Sequence, residues 1–341
     1  MRKLGESQGD FRPRCLSIDL EVGVKDNRVQ EFAAVRGDDG KSLVRGKQNL
    51  NAGLKKLDAF AEGLTFLLGH NLIAFDLPHL AAVEPDLAIL AWPAVDTLWL
   101  NPLAFPRNPY HRLVKHYQDG QLHRGRLNDP ELDARLTLDV FHDQRDAFVE
   151  LARESPDLLL AWHWLTTGND AVTGLNAFFT TVRQAPRPTD DAGVRAVESY
   201  LLDRCCVTAT REALADVEVH AWPLAYAMAW LSVAGGAGFL GVCFGPVITA
   251  NSPASQGNTP SNWRAVLWHE FCHTVTLKKT NNKMPRWLSE GISVYEERRR
   301  DPTWGQHMTP EYRTMVLGGA LTPVSQLSAA FLRPPSPLHL Q

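Results

Sequence analysis

The chain has 341 residues, enough for two ordinary domains that each bury a core of their own. Hydrophobic residues make up 44% and charged residues 21%, as in soluble globular proteins, and the net charge of −3 excludes a generally basic nucleic-acid-binding surface. Five cysteines without framework spacing, and an N-terminus without the apolar core of a signal peptide, predict a reducing, cytoplasmic location.

The N-terminal part of the chain alternates strand and helix signals. The segment CLSIDLEV predicts a short apolar strand, and RVQEFAAVRG and KSLVRG, joined by the turn residues DDG, predict an antiparallel hairpin. Helical spacing follows over residues 50–64, then a strand at FLLGHN that runs into a helix at FDLPHLAAV. A further helix begins at NDPELDAR, where Asn128 or Asp129 can cap it and Pro130 suits its first position.

Residues 143–234 are predicted to be mostly helical. From Ala221 to Trp263 the chain has no Asp, Glu, Lys or Arg, and this stretch is long enough to span a bilayer. Its second half is crowded with glycines, which favour a buried helix near 223–234, a glycine turn and one buried strand near 239–249. We therefore do not expect a membrane span.

Four acidic residues form the first group with a chemical implication. Asp19 and Glu21 are two apart on an apolar strand, so both side chains leave the same face and could bind a divalent metal such as Mg²⁺. Asp76 and Asp133 lie at the starts of predicted helices and could converge on that face. The alternative is that the strand pair faces solvent and that the two helix-start aspartates only cap their helices.

Taken in order, SIDLEVG, GHNLIAFDLPHL and NDPELDARLTL resemble the three motifs of the DEDD 3′–5′ exonucleases, in particular the module fused to RecQ-like helicases. The resemblance covers residues 12–150 and implies an RNase H-like α/β fold, a mixed sheet with helices. It also implies that two Mg²⁺ or Mn²⁺ ions are bound by four catalytic residues, Asp19, Glu21, Asp76 and Asp133. The implied reaction is hydrolysis of the terminal phosphodiester at the 3′ end of a single DNA or RNA strand.

One position departs from the family pattern. The family has a general base, either a histidine five residues before the last aspartate or a tyrosine four before it, and here those positions are Asn128 and Asp129. Asparagine cannot accept a proton at neutral pH, so either His123 substitutes for the base or catalysis lacks it. Binding without cleavage is therefore an open alternative.

A basic and aromatic segment at residues 105–127 is the candidate nucleic-acid-binding element. Its cations could contact phosphates while its rings stack on bases, although a solvated surface helix would have a similar composition. The candidate nucleic-acid-binding residues are Arg112, Lys115, Arg124 and Arg126, in a basic run that also contains Arg107, His111 and His116.

The segment HEFCH forms the second group. His269 and His273 are four apart in a segment with helical spacing, which puts both imidazoles on one face at a separation that suits tetrahedral Zn²⁺. Glu270 lies beside them, where it could take a proton from water at the metal, and Glu290 on a following helix could be the third ligand. The alternative is an ordinary amphipathic helix with surface histidines.

The paired pattern HExxH and WLxEG resembles the gluzincin metallopeptidases, in particular the peptidase-MA-like group. This resemblance covers residues 238–341 and implies an α+β zinc domain with His269, His273 and Glu290 as ligands and Glu270 as the catalytic base. The implied substrate is a peptide or protein. Gluzincins continue into a further helical subdomain, so we expect this domain to be truncated at its C-terminal end.

Together these patterns predict an RNase H-like domain over 12–150, a mostly helical connector over 151–235 and a gluzincin-like domain over 238–341. The expected function is a hydrolase with two modules, a 3′–5′ exonuclease with Mg²⁺ or Mn²⁺ and a metallopeptidase with Zn²⁺. Two alternatives remain: only one module is active, or the protein binds nucleic acid without catalysis and its zinc is structural. The oligomeric state stays open.

Overall fold

The computed structural model describes residues 11–107, 129–168, 173–233, 241–250, 262–280, 284–304 and 309–323, apart from 24, 47, 206, 216, 245–246 and 320, together with residues 111, 113 and 327. These residues fall into two compact units. Unit 1 contains the described residues up to Val233, and unit 2 contains those from Gly241 onward.

Unit 1 is built on a mixed five-stranded sheet with the order β3-β2-β1-β4-β5. The strands β1 and β2 pair antiparallel, as do β2 and β3, whereas β1, β4 and β5 run parallel. The predicted hairpin and the α/β class are therefore confirmed, while the short strand β5 was not predicted. The strands are β1 Cys15–Val22, β2 Val29–Arg36, β3 Ser42–Gly46, β4 Phe66–Gly69 and β5 Ala94–Asp96.

In unit 1, three helices connect strands β3, β4 and β5, and the other helices follow β5 as far as Val233. Helical spacing over residues 50–64 corresponds to two short helices rather than one, and the helix after β5 was not predicted. The helices are α1 Leu50–Leu54, α2 Leu57–Phe60, α3 Leu77–Val83, α4 Thr97–Ala104, α5 Pro130–Glu154, α6 Pro156–Thr166, α7 Thr173–Arg183, α8 Asp190–Leu202, α9 Val207–Ala215 and α10 Val217–Val233. A π-helical turn, Leu72–Asp76, precedes α3.

Strand β1 separates two hydrophobic clusters because successive side chains point to opposite faces of a strand. Leu16, Ile18 and Leu20 belong to the cluster that also holds the buried residues of α1 and α2. The other face carries Cys15, which belongs to the larger cluster formed with α5 and the helices that follow it. The centre of this larger cluster is aromatic, with rings in edge-to-face contact from Phe148, Trp162, Phe178 and Phe179.

The described residues of unit 2 form a two-stranded hairpin and three helices. One continuous strand near 239–249 was predicted, but the chain instead forms two antiparallel strands, β6 Gly241–Phe244 and β7 Val247–Ala250. The sequence has glycine at 245 and proline at 246, and proline lacks the amide that continues a strand ladder. The helices are α11 Trp263–Lys279, α12 Arg286–Arg300 and α13 Pro310–Leu317.

The charge-free stretch does not form a membrane-spanning helix in the part of the chain that the structure describes. Its helical portion belongs to α10, which buries Leu224, Met228 and Trp230 within unit 1. Every described helix is too short or too polar to cross a bilayer.

A buried histidine on α6 makes the stability of unit 1 depend on pH. The ring of His163 is fully buried, with Nε2 at 2.9 Å from Oδ1 of Asn176 and Nδ1 at 2.8 Å from the guanidinium of Arg183. Burial and the nearby cations Arg183 and Arg187 lower the pKa of His163 from 6.5 to about 4. The imidazole is therefore neutral at pH 7 and accepts a hydrogen bond from Arg183.

We expect acid to weaken unit 1 through His163. The folded pKa lies below the unfolded one, so the stabilisation is present above pH 6.5 and is lost as the pH falls towards 4. Glutamine cannot titrate, so in His163→Gln the free energy of unfolding should fall less between pH 7 and pH 5.5 than it does in the wild type. The slopes of unfolding free energy against pH should differ by the equivalent of up to about one bound proton. Urea unfolding followed by tryptophan fluorescence measures this. His142→Gln on α5, where the side chain is 43% exposed, is the control, and equal slopes in both variants would contradict the assignment.

Candidate metal centres

The first candidate centre lies where β1 ends and α5 begins. Asp19 and Glu21 are half-buried on β1, and Asp133 is buried in the first turn of α5. One carboxylate oxygen from each of these three residues lies within 4.8 Å of the others. Three of the four acidic residues singled out in the sequence thus converge, and hard oxygen ligands at this separation suit Mg²⁺ or Mn²⁺.

Two local interactions place the start of α5 beside β1. The side chain of Asp129 caps the helix by accepting a hydrogen bond from the backbone N–H of Leu132 at 3.2 Å, and Pro130 occupies the first helical position. The buried hydroxyl of Ser17 on β1 donates to the carbonyl of Ala134 at 2.8 Å. Because Ser17 shares a strand face with Asp19, this bond holds Asp133 next to the two carboxylates of β1.

Asp76 lies beside this group without belonging to it. The described pairing of β1 with β4 ends at Ser17, and further along β1 the backbone N–H of Leu20 donates to Oδ1 of Asp76 at 3.0 Å. Burial raises the pKa of Asp76 well above its usual value, and the carboxylates of Asp96 and Glu21 raise it further. Asp76 therefore faces the same strand end as Asp19 and Glu21, as the sequence pattern predicts for the fourth acidic residue.

A fifth acidic residue of this region, Asp96, was missed in the sequence. It ends β5 and is 1% exposed, and its carboxylate accepts hydrogen bonds from the backbone N–H groups of Asn71, Ile73 and Leu98 at 2.8 to 3.0 Å. Burial outweighs these donors and raises the pKa of Asp96 to about 6. The sequence signal that could have identified Asp96 is the segment AVDTLWL, in which an aspartate stands between a short apolar run and a helical segment.

Most of the predicted nucleic-acid-binding segment lies outside the described residues, and so do Asn128 and His123. The same holds for the named binding residues Arg112, Lys115, Arg124 and Arg126. His111 is described: its carbonyl accepts a hydrogen bond from the side-chain amide of Asn101 at 2.9 Å, and burial lowers its pKa to about 4. A lowered pKa favours the neutral form of His111 at pH 7.

The second candidate centre lies between α11 and α12 of unit 2. His269 and His273 project from one face of α11, and Glu290 faces them from α12. Oε2 of Glu290 lies 3.1 Å from Nε2 of His269 and 3.3 Å from Nε2 of His273. One ligand atom of each residue lies within 4.8 Å of the others, and a set of two imidazoles and one carboxylate suits Zn²⁺ with a further position for water.

The outer nitrogens of both imidazoles are also bound, which was not predicted. Nδ1 of His269 is hydrogen-bonded to Glu297, and Nδ1 of His273 lies 2.8 Å from the hydroxyl of Ser289 and 3.3 Å from that of Ser293. Such partners fix the orientation of a ligating ring and leave Nε2 for the metal. The signal in the sequence is the spacing of four that puts Ser289, Ser293 and Glu297 on one face of α12, and all three are buried.

Glu270, the proposed base, is buried next to the two imidazoles. Burial raises the pKa of its carboxyl, while His273 and His269 act in the opposite direction. Burial also acts to raise the pKa of Glu290, but hydrogen bonds from His269 and His273 bring it well below its usual value. The two imidazoles thus have as neighbours both the anionic carboxylate of Glu290 and the more weakly acidic carboxyl of Glu270.

No protein-family model, curated protein or solved structure matches this chain. The two centres are therefore characterised by their own geometry. The first gathers Asp19, Glu21 and Asp133 with Asp76 beside them, and the second gathers His269, His273 and Glu290 with Glu270 beside them.

We expect the second centre to bind one zinc ion per chain, measured by elemental analysis after dialysis, and His273→Ala to lose it. Glu297→Gln should keep the ion but bind it about 10- to 100-fold more weakly, because the amide is a poorer acceptor for Nδ1 of His269. Competition with a zinc-binding dye gives the affinity.

Glu296→Gln provides the matched control, since it makes the same change on the same helix at a residue paired with Arg299. Equal zinc affinity of Glu297→Gln and wild type would show that Glu297 does not support the ligand.

Proposed function

We propose that this protein is a metal-dependent hydrolase with two centres, and that unit 2 is a gluzincin-like zinc peptidase. The observation that carries the proposal for unit 2 is the convergence of His269, His273 and Glu290 with the outer nitrogens of both rings already hydrogen-bonded. A surface helix with incidental histidines would not need buried partners on a second helix. This arrangement supports a zinc site over the alternative of an ordinary amphipathic helix.

The residues of unit 2 have distinct roles in this proposal. Zinc, when bound, acts as a Lewis acid on the carbonyl of the scissile peptide bond. His269, His273 and Glu290 hold the ion, while Glu297, Ser289 and Ser293 orient the rings. Glu270 takes a proton from the attacking water and passes it to the leaving amine, a role for which burial favours its carboxyl by raising the pKa.

We also propose that unit 1 is a 3′–5′ exonuclease of the DEDD type with an RNase H-like fold. Its support is the meeting of Asp19, Glu21 and Asp133 from two separate elements, with Asp76 at the adjacent amide of Leu20. The mixed sheet with α5 packed over the carboxylate-bearing strand is compatible with that fold. Two divalent ions, when bound, stabilise the charge of the attacked phosphodiester, and the four carboxylates hold them at the end of β1.

Two alternatives keep part of this arrangement. In one, only one centre is active. In the other, the protein binds nucleic acid without cleaving it, and zinc stabilises unit 2 as a structural ion. The two activity assays below separate these alternatives because each centre has its own substrate, metal and variants.

For the exonuclease, we expect 5′-labelled single-stranded DNA or RNA to be shortened stepwise from its 3′ end with Mg²⁺ or Mn²⁺. Asp19→Asn and Asp133→Asn should each lower the rate at least about a hundredfold, since each removes a charged metal ligand worth several kcal/mol of transition-state stabilisation. Asp139→Asn, on α5 with a side chain that is 66% exposed, is the control. Retarded migration on a gel without shortening would support binding alone.

For the peptidase, we expect the zinc-loaded protein to cleave members of a random peptide library, read by mass spectrometry. Glu270→Gln should retain zinc and lower cleavage at least about a hundredfold, because the amide cannot take up the proton. The control is again Glu296→Gln. Equal cleavage by wild type and Glu270→Gln would eliminate this role, and zinc binding without any cleavage would favour a structural ion.

A further inference from the structure

Asp96 connects two backbone segments at the carboxyl end of the parallel strands. One of its carboxylate oxygens accepts hydrogen bonds from the N–H groups of Asn71 at 2.8 Å and Leu98 at 3.0 Å. The other accepts from Ile73 at 3.0 Å. The bond to Leu98 caps α4, whereas the other two bonds hold the chain that leaves β4.

The segment held in this way is a tight turn with unusual backbone geometry. Gly69 ends β4, and a Cβ at this position would lie only 2.6 Å from Cβ of Leu72. Asn71 has a φ of +72°, in the left-handed region that costs free energy for most residues. The π-helical turn Leu72–Asp76 begins directly afterwards, so the N–H groups bound by Asp96 flank the start of the turn that ends in Asp76.

Asp76 is itself held in an electrostatically unfavourable place. It is 2% exposed, and the carboxylates of Glu21 and Asp96 oppose its negative charge. Its one described hydrogen bond across to β1 is the 3.0 Å bond from the N–H of Leu20. On the other side, the backbone that leads to Asp76 is the turn whose N–H groups are bound by Asp96.

We propose that Asp96 is a positioning residue: by binding the N–H groups of Asn71 and Ile73 it sets where Asp76 stands relative to Asp19, Glu21 and Asp133. Its carboxylate is not one of those that converge at the end of β1, and both of its oxygens accept hydrogen bonds from backbone donors. The consequence for metal binding rests on the proposed exonuclease function, whereas the consequence for the Asp76–Leu20 bond does not.

The test uses Asp96→Asn in the full-length protein. The amide replaces one oxygen with a donor, so it cannot accept from both sides of the turn and one N–H loses its partner. The bond between Leu20 and Asp76 is read directly as the hydrogen-exchange rate of the Leu20 amide, with the amides of Leu16 and Ile18 on the same strand as internal references. We expect Leu20 to exchange at least about tenfold faster while the two references change little.

Asp58→Asn is the matched control because Asp58 has a similar structural role elsewhere in unit 1. Its carboxylate accepts hydrogen bonds from the backbone N–H groups of Ala88 at 2.9 Å and Ile89 at 3.1 Å, at the start of another short helical turn. This control should leave Leu20 exchange unchanged. Asp96→Ser is a second variant, since serine keeps a cap for α4 but is too short to hold the turn as well.

Mn²⁺ affinity, measured by titration calorimetry, provides the link to function. We expect Asp96→Asn and Asp96→Ser to weaken Mn²⁺ binding about tenfold or more relative to Asp58→Asn. The proposal would be overturned if the Asp96 variants matched the Asp58→Asn control in both Leu20 exchange rate and Mn²⁺ affinity. Faster Leu20 exchange in a protein whose wild type binds no Mn²⁺ would instead support the positioning of Asp76 and overturn the exonuclease assignment.

Discussion

The packing of α5 against β1 is the contact on which the first centre depends. Asp133 reaches Asp19 and Glu21 only because the first turn of α5 lies on the strand face that carries them. The small side chain of Ser17 permits this approach, and its hydroxyl donates a hydrogen bond to the carbonyl of Ala134 on α5. A larger apolar residue at this position would remove the bond and push the helix away from the strand.

This packing brings together charges that repel one another. Two carboxylates at 4.8 Å repel by about 3 kcal/mol at an effective dielectric constant of about 20, and the end of β1 gathers three of them with Asp76 beside the group. In the proposed function, a divalent cation bound at this centre offsets the repulsion. The hydrogen bonds made by Ser17, Leu20 and Asp96 are the restraints that maintain the arrangement of the carboxylates.

The second centre also holds charged residues close together, but it is built from fewer secondary-structure elements. Two neighbouring helices supply all of its residues, and here the imidazoles separate the carboxylates: His269 lies between Glu290 and Glu297. Buried hydroxyls and a carboxylate on α12 orient the rings, so the geometry of α11 alone does not define the site. The two centres therefore differ in what they require of the fold, long-range strand and helix packing in unit 1 and one helix pair in unit 2.

Local sequence determined much of this protein. The alternation of a strand placed Asp19 and Glu21 on one face of β1, and the spacing of four placed His269 and His273 on one face of α11. Turn residues indicated the β2–β3 hairpin. These features depend only on the period of a strand or helix and on the residues of a turn. The order of the acidic motifs predicted that Asp133 joins Asp19, whereas tertiary structure alone decided that Glu297 supports His269 and that Asp96 holds the turn leading to Asp76. These contacts join residues far apart in the chain through backbone N–H groups and packed helices, and backbone donors have no signature in the sequence because almost every residue carries one.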